Sequence, residues 1–348
     1  MTNKTINLSG IVNVLLIIAT IFIILAGIKT ATNILVPFLL SIFIAIVCKP
    51  LINKMIKYGI PKSIAIMLVI MIFLIIVLSL AGLIGQSLQQ LSQLMPTYRI
   101  QLQQQFTWLI NKLAAYNITL SSAVIMNYFD PSAAMGMAAK MLSSVGNVMA
   151  NLFLIILTVI FMLAEAAQLP KKLHFAFDDP QMRMSQIDKF LASVNHYLAI
   201  KTVVSIITGI AVAIMLWAFG LNFYLLWGVL AFLLNFIPNI GSIIAALPAM
   251  SLAMLQLGLP SAGLIGIGFM VINTVMGNVI EPRYLGKGLG LSTLVVFLSL
   301  VFWGWLLGTV GMLLSVPLTM IIKIALENSA EGRWLSILLS AEPEQNRD

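Results

Sequence analysis

The chain has 348 residues, of which 61% are hydrophobic and only 9% are charged, and its mean hydropathy is +1.06. Because soluble domains carry about 25% charged residues, this composition excludes a soluble globular fold and predicts a protein embedded in lipid. The net charge of +8 does not indicate nucleic-acid binding, since the basic residues cluster between apolar runs, as they do in cytoplasmic loops of membrane proteins. Lipid satisfies no backbone hydrogen bond, and the apolar runs are continuous and about 15–22 residues long. We therefore predict an all-α polytopic membrane protein.

Residues 1–85 are predicted to form three transmembrane helices. Their apolar runs cover residues 11–28, 32–48 and 63–85. The first two runs are separated only by the turn at 29–33 and predict a helical hairpin. The connection at 48–62 carries four lysines and no acidic residue, which places it in the cytoplasm. The N-terminus is then cytoplasmic as well.

Residues 86–147 are predicted to form a helical insertion on the periplasmic side of the membrane. The segment is rich in glutamine and has Leu88, Leu91 and Leu94 at helical spacing. Asp130 followed by proline favours a helix start. Two interpretations remain open for this insertion. It is either a cap that gates the substrate path or a surface that packs between subunits or against the membrane.

Residues 148–201 are predicted to form a transmembrane helix followed by a cytoplasmic amphipathic segment. This segment contains the second basic cluster, and two spans separate the two clusters, so their predicted orientations agree. Glu165 is predicted to lie at the interface, and Lys201, at the start of the next span, to extend towards the headgroups. His174 and His196 have no ligand-like neighbours in the sequence, so no metal site is predicted.

Residues 202–326 are predicted to form the transport core, and residues 327–348 are predicted to form a cytoplasmic tail. The core contains two full spans and two interrupted helical hairpins, at 223–257 and 291–326. Short, Gly/Pro-interrupted segments in corresponding positions are typical of transporters built from inverted repeats. We therefore predict N-terminal scaffold helices and a C-terminal half with two opposed hairpins, each of which is either re-entrant or fully spanning.

An ungapped alignment of residues 220–250 with residues 290–320 supports this repeat. Six positions match identical residues 70 positions later: Gly220, Leu221, Leu230, Phe232, Gly241 and Met250. In both copies an apolar run reaches a break and then resumes, and a proline follows. Chance similarity between two runs rich in leucine and glycine is the alternative interpretation.

The first break, at 235–242, supplies candidate substrate-binding residues. They are Asn235, Pro238, Asn239, Gly241 and Ser242. Two amides and a hydroxyl suit a neutral polar ligand, and the proline and glycine leave backbone groups that need partners. The alternative interpretation is a hairpin tip packed against neighbouring helices.

A second cluster of candidate binding residues follows the inward-running span, with Asn278, Glu281 and Arg283. Pro282 disfavours helical geometry at the preceding residue and predicts that the helix breaks at Glu281. A carboxylate at a helix C-terminus needs a cation, which Arg283 or Lys287 could supply. Glu281 is then either an ion or proton acceptor, or half of an interfacial salt bridge.

The second break, at 304–311, contributes the last two candidates, Gly308 and Gly311. We expect the substrate path between the two breaks, with Glu281 and Arg283 at its cytoplasmic edge. The sequence contains no Walker A loop, catalytic triad or HExxH motif. We therefore expect no catalytic residue, no metal, no cofactor and no ATP-driven step.

Three motifs carry a resemblance to a known family. They are FIPNIGS at 236–242, IEPR at 280–283 with GKGLGLS at 286–292, and GMLLSVPL at 311–318. They closely resemble the autoinducer-2 exporter family of bacterial membrane proteins, and the resemblance extends over essentially the whole chain. It implies a multi-pass inner-membrane protein that exports autoinducer-2, a small polar furanone-type quorum-sensing signal, with effects on biofilm formation.

The resemblance also implies a homo-oligomer in the lipid membrane, with a pentamer as the candidate assembly. Some relatives in this family are credited with sodium/proton antiport. A cation/proton antiporter is therefore one alternative, and a non-transporting membrane regulator of signal levels is another. The antiporter is the weaker alternative, because it needs a carboxylate at mid-membrane, whereas Glu281 is predicted near an interface and the other spans lack acidic residues.

Overall fold

A computed structural model describes residues 8–114, 150–165, 180–238, 240–285, 290–327, 329 and 332–340. The regular structure in these ranges is helical, and five helices there are long and apolar enough to cross a membrane. Large apolar side chains such as Phe22 (71% exposed) and Phe153 (76%) face outwards, as expected where lipid replaces water. The predicted all-α membrane class is confirmed. The Asp130–Pro131 helix start and His174 lie outside the described residues.

The chain forms two compact units, one from Met1–Ile44 with Leu291–Asp348 and one from Ala45–Gly290. The helices of the N-terminal part are α1 (Leu8–Thr30), α2 (Thr32–Lys57), α3 (Lys62–Ala114) and α4 (Ala150–Glu165). The central helices are α5 (Pro180–Ala218), α6 (Tyr224–Leu234), α7 (Gly241–Leu257) and α8 (Leu259–Asn273), followed by a π-helix (Thr274–Ile280) and α9 (Glu281–Leu285). The last helices are α10 (Thr293–Leu313), α11 (Ser315–Glu327) and α12 (Arg333–Leu339).

The third span continues as helix beyond the predicted domain boundary at residue 85. α3 has 53 residues, a length of about 80 Å at 1.5 Å per residue, against about 30 Å of hydrocarbon. The first part of the predicted insertion is therefore a continuation of α3, because a helix that leaves the bilayer keeps its backbone hydrogen bonds. At the other end of α3, the Lys62 ammonium donates to the Ala164 carbonyl at 2.8 Å. This bond places the start of α3 beside the end of α4.

In the central unit, α5 packs most extensively on α6, and α7 packs on α8. Glycines allow α5 and α6 to approach closely, since a Cβ added to Gly209 would lie 2.7 Å from the Gly228 carbonyl oxygen. Small residues at helix contacts are the usual means of packing in lipid, where no hydrophobic effect drives helices together. The core of this unit also includes Leu88, Leu91 and Tyr98 of α3.

The predicted interruption near residue 235 separates α6 from α7. α6 has 11 residues and is about 16 Å long, roughly half the hydrocarbon thickness. The helical path stops at Asn235, and α7 begins at Gly241. A re-entrant arrangement of α6 and α7 remains a prediction.

In the other unit, α1 packs on α10, and α10 packs on α11. The Thr32 hydroxyl donates to the Leu306 carbonyl at 3.2 Å. The Lys29 ammonium donates to the Trp305 carbonyl and lies 5.2 Å from the centre of its indole ring. The second predicted break is present as a kink at Gly308, which has φ 71° and ψ −151°. The relation of the two breaks as an inverted repeat remains a prediction.

Candidate functional site

A buried ion pair joins α5 to α9. The Lys201 ammonium lies 2.7 Å and 2.8 Å from the two Glu281 carboxylate oxygens, and the two side chains are 4% and 15% exposed. Each charge needs the other, because an unpaired charge in a water-poor helical core carries a large desolvation cost. The prediction that Lys201 extends to the headgroups is therefore wrong, since its ammonium faces the protein interior.

The partner predicted for Glu281 is also different in the structure. Arg283 is exposed, and Lys287 lies outside the described residues. Local spacing favoured a cation on the same segment, whereas the fold supplies Lys201 from a helix 80 positions earlier.

A π-helix, and not a helix break, positions Glu281. The predicted break is wrong, because Glu281 has helical angles of φ −55° and ψ −48°, and its N–H donates to the Met276 carbonyl five residues back. In a regular α-helix the ring of Pro282 would clash with the carbonyl four residues before it. The wider i→i+5 turns accommodate the proline without ending the helix. The chain thereby continues into α9, which packs on α5.

Lys201 belongs to a buried polar stripe on α5. Tyr197, Lys201, Ser205 and Thr208 are each at most 4% exposed and share one face of the helix by their spacing. The Asn235 side-chain amide donates to the Ser205 hydroxyl at 2.9 Å. This bond lies about 6 Å further along α5 than the ion pair. The stripe therefore connects the pair to the end of α6.

The first predicted break contributes Asn235 directly to this site. Asn235 is 8% exposed, whereas Pro238 and Ser242 are partly buried, and Asn239 lies outside the described residues. Gly241 is buried, and a Cβ there would overlap the Leu234 carbonyl. A glycine is therefore required for α7 to begin so close to the end of α6.

The remaining predicted residues lie apart from the ion pair or in the other unit. Asn278 is exposed, as Arg283 is. Gly308 and Gly311 belong to the other unit, where Gly311 packs against the Trp303 carbonyl of its own helix. A binding role for these four residues remains a prediction.

Sequence reasoning missed Lys201 and Ser205 as members of the site. The signal was present, because Tyr197, Lys201 and Ser205 recur every four residues where α5 enters its apolar second half. Polar residues at that spacing form one face, and a polar face on a membrane helix points to a protein interior.

The groups of this site suit the binding of a polar molecule. A carboxylate accepts hydrogen bonds, an ammonium donates them, and the amide and hydroxyl do both. Within the described part of the chain, no group of three or more His, Cys, Asp or Glu residues has the arrangement of a metal site. The chemistry supported by these residues is recognition, and it points to transport.

Comparison with known proteins identifies the family. The sequence model described as AI-2E family transporter matches residues 14–331. The chain is 43% identical over 340 residues to the AI-2 transport protein TqsA of Escherichia coli (strain K12), and the alignment covers 98% of each chain. It is 47% identical over 331 residues to a Haemophilus influenzae relative, with 93% of this chain and 95% of the relative covered. Identity to YhhT of Escherichia coli (strain K12) is 40% over 327 residues, which is 94% of each chain.

The motifs, the apolar spans and the full-length similarity agree on one conclusion. The resemblance inferred from the three motifs is confirmed, and the multi-pass membrane architecture fits it. The protein belongs to the AI-2E transporter family, with a role in transport across a membrane.

Proposed function

We propose that this protein exports autoinducer-2 across the bacterial inner membrane. The full-length similarity to TqsA, which is named an AI-2 transport protein, supports this substrate. The observation that carries the proposal is the buried polar stripe of α5, with Lys201 paired to Glu281 and Ser205 bonded to Asn235. Ionisable residues buried inside membrane helices commonly mark substrate or ion pathways.

The stripe suits a small neutral polar cargo. The ion pair has no net charge, so a neutral molecule that binds there adds none to the membrane interior. Hydroxyl and carbonyl groups of the cargo would form hydrogen bonds with Ser205 and Asn235 in place of the bond between these two residues. They would also approach the Glu281 carboxylate and the Lys201 ammonium. The amide and hydroxyl would then replace the hydrogen bonds that the cargo loses on leaving water.

The interrupted helices provide the moving parts in this proposal. α6 is too short to cross the hydrocarbon by itself, which favours a re-entrant hairpin whose end carries Asn235. Binding at Asn235 would couple the cargo to movement of α6 against α5, and so to alternating access. Within this scheme Pro238, Asn239, Gly241 and Ser242 form the end of the hairpin.

Several finer features belong to the same proposal. The basic clusters support cytoplasmic termini and a cytoplasmic position for the ion pair. Asn278 and Arg283 would then meet the cargo at the cytoplasmic entrance, and Gly308 and Gly311 would permit movement of the other unit. A homo-oligomer, with a pentamer as the candidate, and effects on biofilm formation follow from the family resemblance.

Flux measured with the purified protein in liposomes tests the proposal. We expect autoinducer-2 to leave loaded proteoliposomes faster than protein-free liposomes of the same lipid. Equal loss from both would point to a regulator that changes signal levels indirectly. Sodium-dependent proton flux without autoinducer-2 flux would instead support the cation/proton antiporter. Either result would overturn the proposed export.

A further inference from the structure

A cleft with a mixed polar and apolar lining lies at the opposite end of α5 from the ion pair. Its volume is about 830 Å³, and it is bounded by α3 and by the turn that leads from α5 into α6. The α5 helix continues for about 25 Å between Lys201 and its end at Ala218. The cleft is therefore separate from the Lys201–Glu281 site, although both belong to the same compact unit.

The walls of the cleft are uncharged and rich in hydrogen-bonding groups. The polar side chains are Ser79, Gln86, Ser87, Gln90, Gln93, Asn222 and Tyr224. Amides and hydroxyls offer donors and acceptors together without a net charge. Among the residues that the structure describes, the lining contains no Lys, Arg, Asp or Glu, so these residues offer an ion no compensating charge.

One face of α3 supplies most of these groups. Gln86, Gln90 and Gln93 follow one another at intervals of four and three residues, which places them on the same side of the helix. Gln89 lies between them in sequence but does not line the cleft. The apolar part of the lining includes Leu83 of α3 and Phe223 of the facing turn.

The facing turn is held in place by side-chain hydrogen bonds. The Asn222 backbone N–H donates to the Gln256 side-chain oxygen at 2.9 Å, and the Asn222 amide donates to the Tyr98 hydroxyl at 2.9 Å. The Gln256 amide in turn donates to the Gly220 carbonyl at 2.9 Å. These bonds tie the turn to α3 and α7, so the wall opposite the glutamines is preformed.

The backbone of this wall is also strained. Phe223 has φ 59° and ψ 29°, and among the described residues it is the non-glycine with a positive φ. Left-handed geometry is unfavourable for a bulky aromatic residue, and such strain concentrates at functional sites. The strained residue adds an aromatic side chain to a cleft whose lining combines amides and hydroxyls with leucines of α3 and α6.

We propose that this cleft is a second binding site, for an uncharged polyhydroxylated small molecule. The amides would bond the hydroxyls of the ligand, and the Phe223 ring would cover an apolar face. The match between this ligand class and the exported signal rests on the proposed function, whereas binding in the cleft does not require transport. By the predicted orientation the cleft opens on the periplasmic side.

Ligand-detected NMR on the full chain in phosphatidylcholine nanodiscs tests the site. D-ribose serves as the neutral probe and D-ribose 5-phosphate as its anionic counterpart, and this lipid headgroup has no free hydroxyl to compete. We expect ribose to bind at least about tenfold more tightly than its phosphate, because the cleft cannot neutralise the anion. Gln86→Leu with Gln90→Leu should weaken ribose binding by about tenfold or more. Gln89→Leu is the matched control and should leave it unchanged.

Three results would overturn the site: no saturable ribose binding, equal binding of the phosphate, or equal weakening by the control substitution. The same nanodiscs separate this inference from the proposed function. Glu281 pairs with Lys201, about 25 Å along α5 from the end that bears the cleft. Glu281→Gln should therefore leave ribose binding intact while it reduces export. If autoinducer-2 is not transported but ribose binding still depends on Gln86 and Gln90, the proposed function fails and the cleft site remains.

Discussion

The Lys201 ammonium and the Glu281 carboxylate, 80 positions apart in the sequence, form a two-pronged ion pair of 2.7 Å and 2.8 Å inside a membrane protein. The π-helix before Glu281 and the packing of α9 on α5 bring the two residues together. One turn along the same face of α5, Ser205 meets Asn235 at the end of an interrupted helix. The ion pair thus belongs to a continuous polar stripe that reaches a helix end suited to movement.

Removal of one charge of the buried pair should destabilise the protein more than removal of both. Glu281→Gln leaves the Lys201 ammonium buried without its counterion, which costs about 3–5 kcal/mol in comparable sites. Glu281→Gln combined with Lys201→Met removes the stranded charge and should recover most of that loss. Thermal melting in detergent measures the difference.

The ion pair between Lys323 and Glu327 provides the matched control. Its Nζ–Oε1 distance is 3.2 Å, and the Glu327 side chain is 45% exposed, whereas the Lys323 side chain is 14% exposed. Glu327→Gln should cost less than Glu281→Gln, about 1 kcal/mol, because solvent screens the half-exposed carboxylate. A melting temperature lowered equally by Glu281→Gln and Glu327→Gln would contradict the special role of burial.

Loss of the Ser205 hydroxyl should reduce both stability and transport. Ser205→Ala leaves the buried Asn235 amide without its partner, at a cost of about 1–3 kcal/mol. Ser251→Ala is the control, since its exposed hydroxyl donates to the Leu247 carbonyl of its own helix. Melting curves and initial flux rates of the two variants should differ, and identical behaviour would show that the Ser205–Asn235 bond is unimportant.

The close contact between α5 and α6 should not tolerate an added methyl group. A Cβ on Gly228 would lie 2.7 Å from the Ala213 Cβ and 2.8 Å from the Gly209 carbonyl oxygen. Gly228→Ala should therefore separate the helices, cost about 1–3 kcal/mol and weaken the Ser205–Asn235 contact. Gly263→Ala enters open space and should be neutral or slightly stabilising. Melting temperatures in detergent compare the two, and an unaffected Gly228→Ala would argue against this packing.

The kink at Gly308 should require glycine. Its angles of φ 71° and ψ −151° lie in a region that is nearly closed to residues with a Cβ, and Gly308→Ala should cost about 1–3 kcal/mol. Gly27→Ala in α1 has open space and no positive φ, so it serves as the control within the same unit. Equal melting temperatures for the two variants would mean that the kink does not form.

The membrane class, the family and the position of the first break could all be predicted from the sequence. Hydropathy is additive along a helix, so each span can be read from a local window. Asn235 was predicted because an amide beside a proline and a glycine interrupts an apolar run. The full extent of α3 was not predictable in this way, because a helix that leaves the bilayer need not stop where the apolar run stops.

The ion pair was not predictable from local spacing. For Glu281 the nearest cations in sequence were Arg283 and Lys287, and only the packing of α9 on α5 shows that Lys201 is its partner. Pro282 was expected to end the helix, but a π-helix accommodates it through i→i+5 hydrogen bonds. Both differences arise from tertiary packing, which overrides preferences that act over a few residues.

Autoinducer-2 flux through proteoliposomes that contain the Glu281→Gln variant tests the central claim most directly. Wild-type protein and Glu327→Gln are reconstituted at the same density, and correct folding of each is checked by its melting temperature. We predict that Glu281→Gln lowers the initial flux by about tenfold or more, whereas Glu327→Gln retains the wild-type rate. Wild-type flux through folded Glu281→Gln would contradict the assignment of the Lys201–Glu281 pair to the transport path.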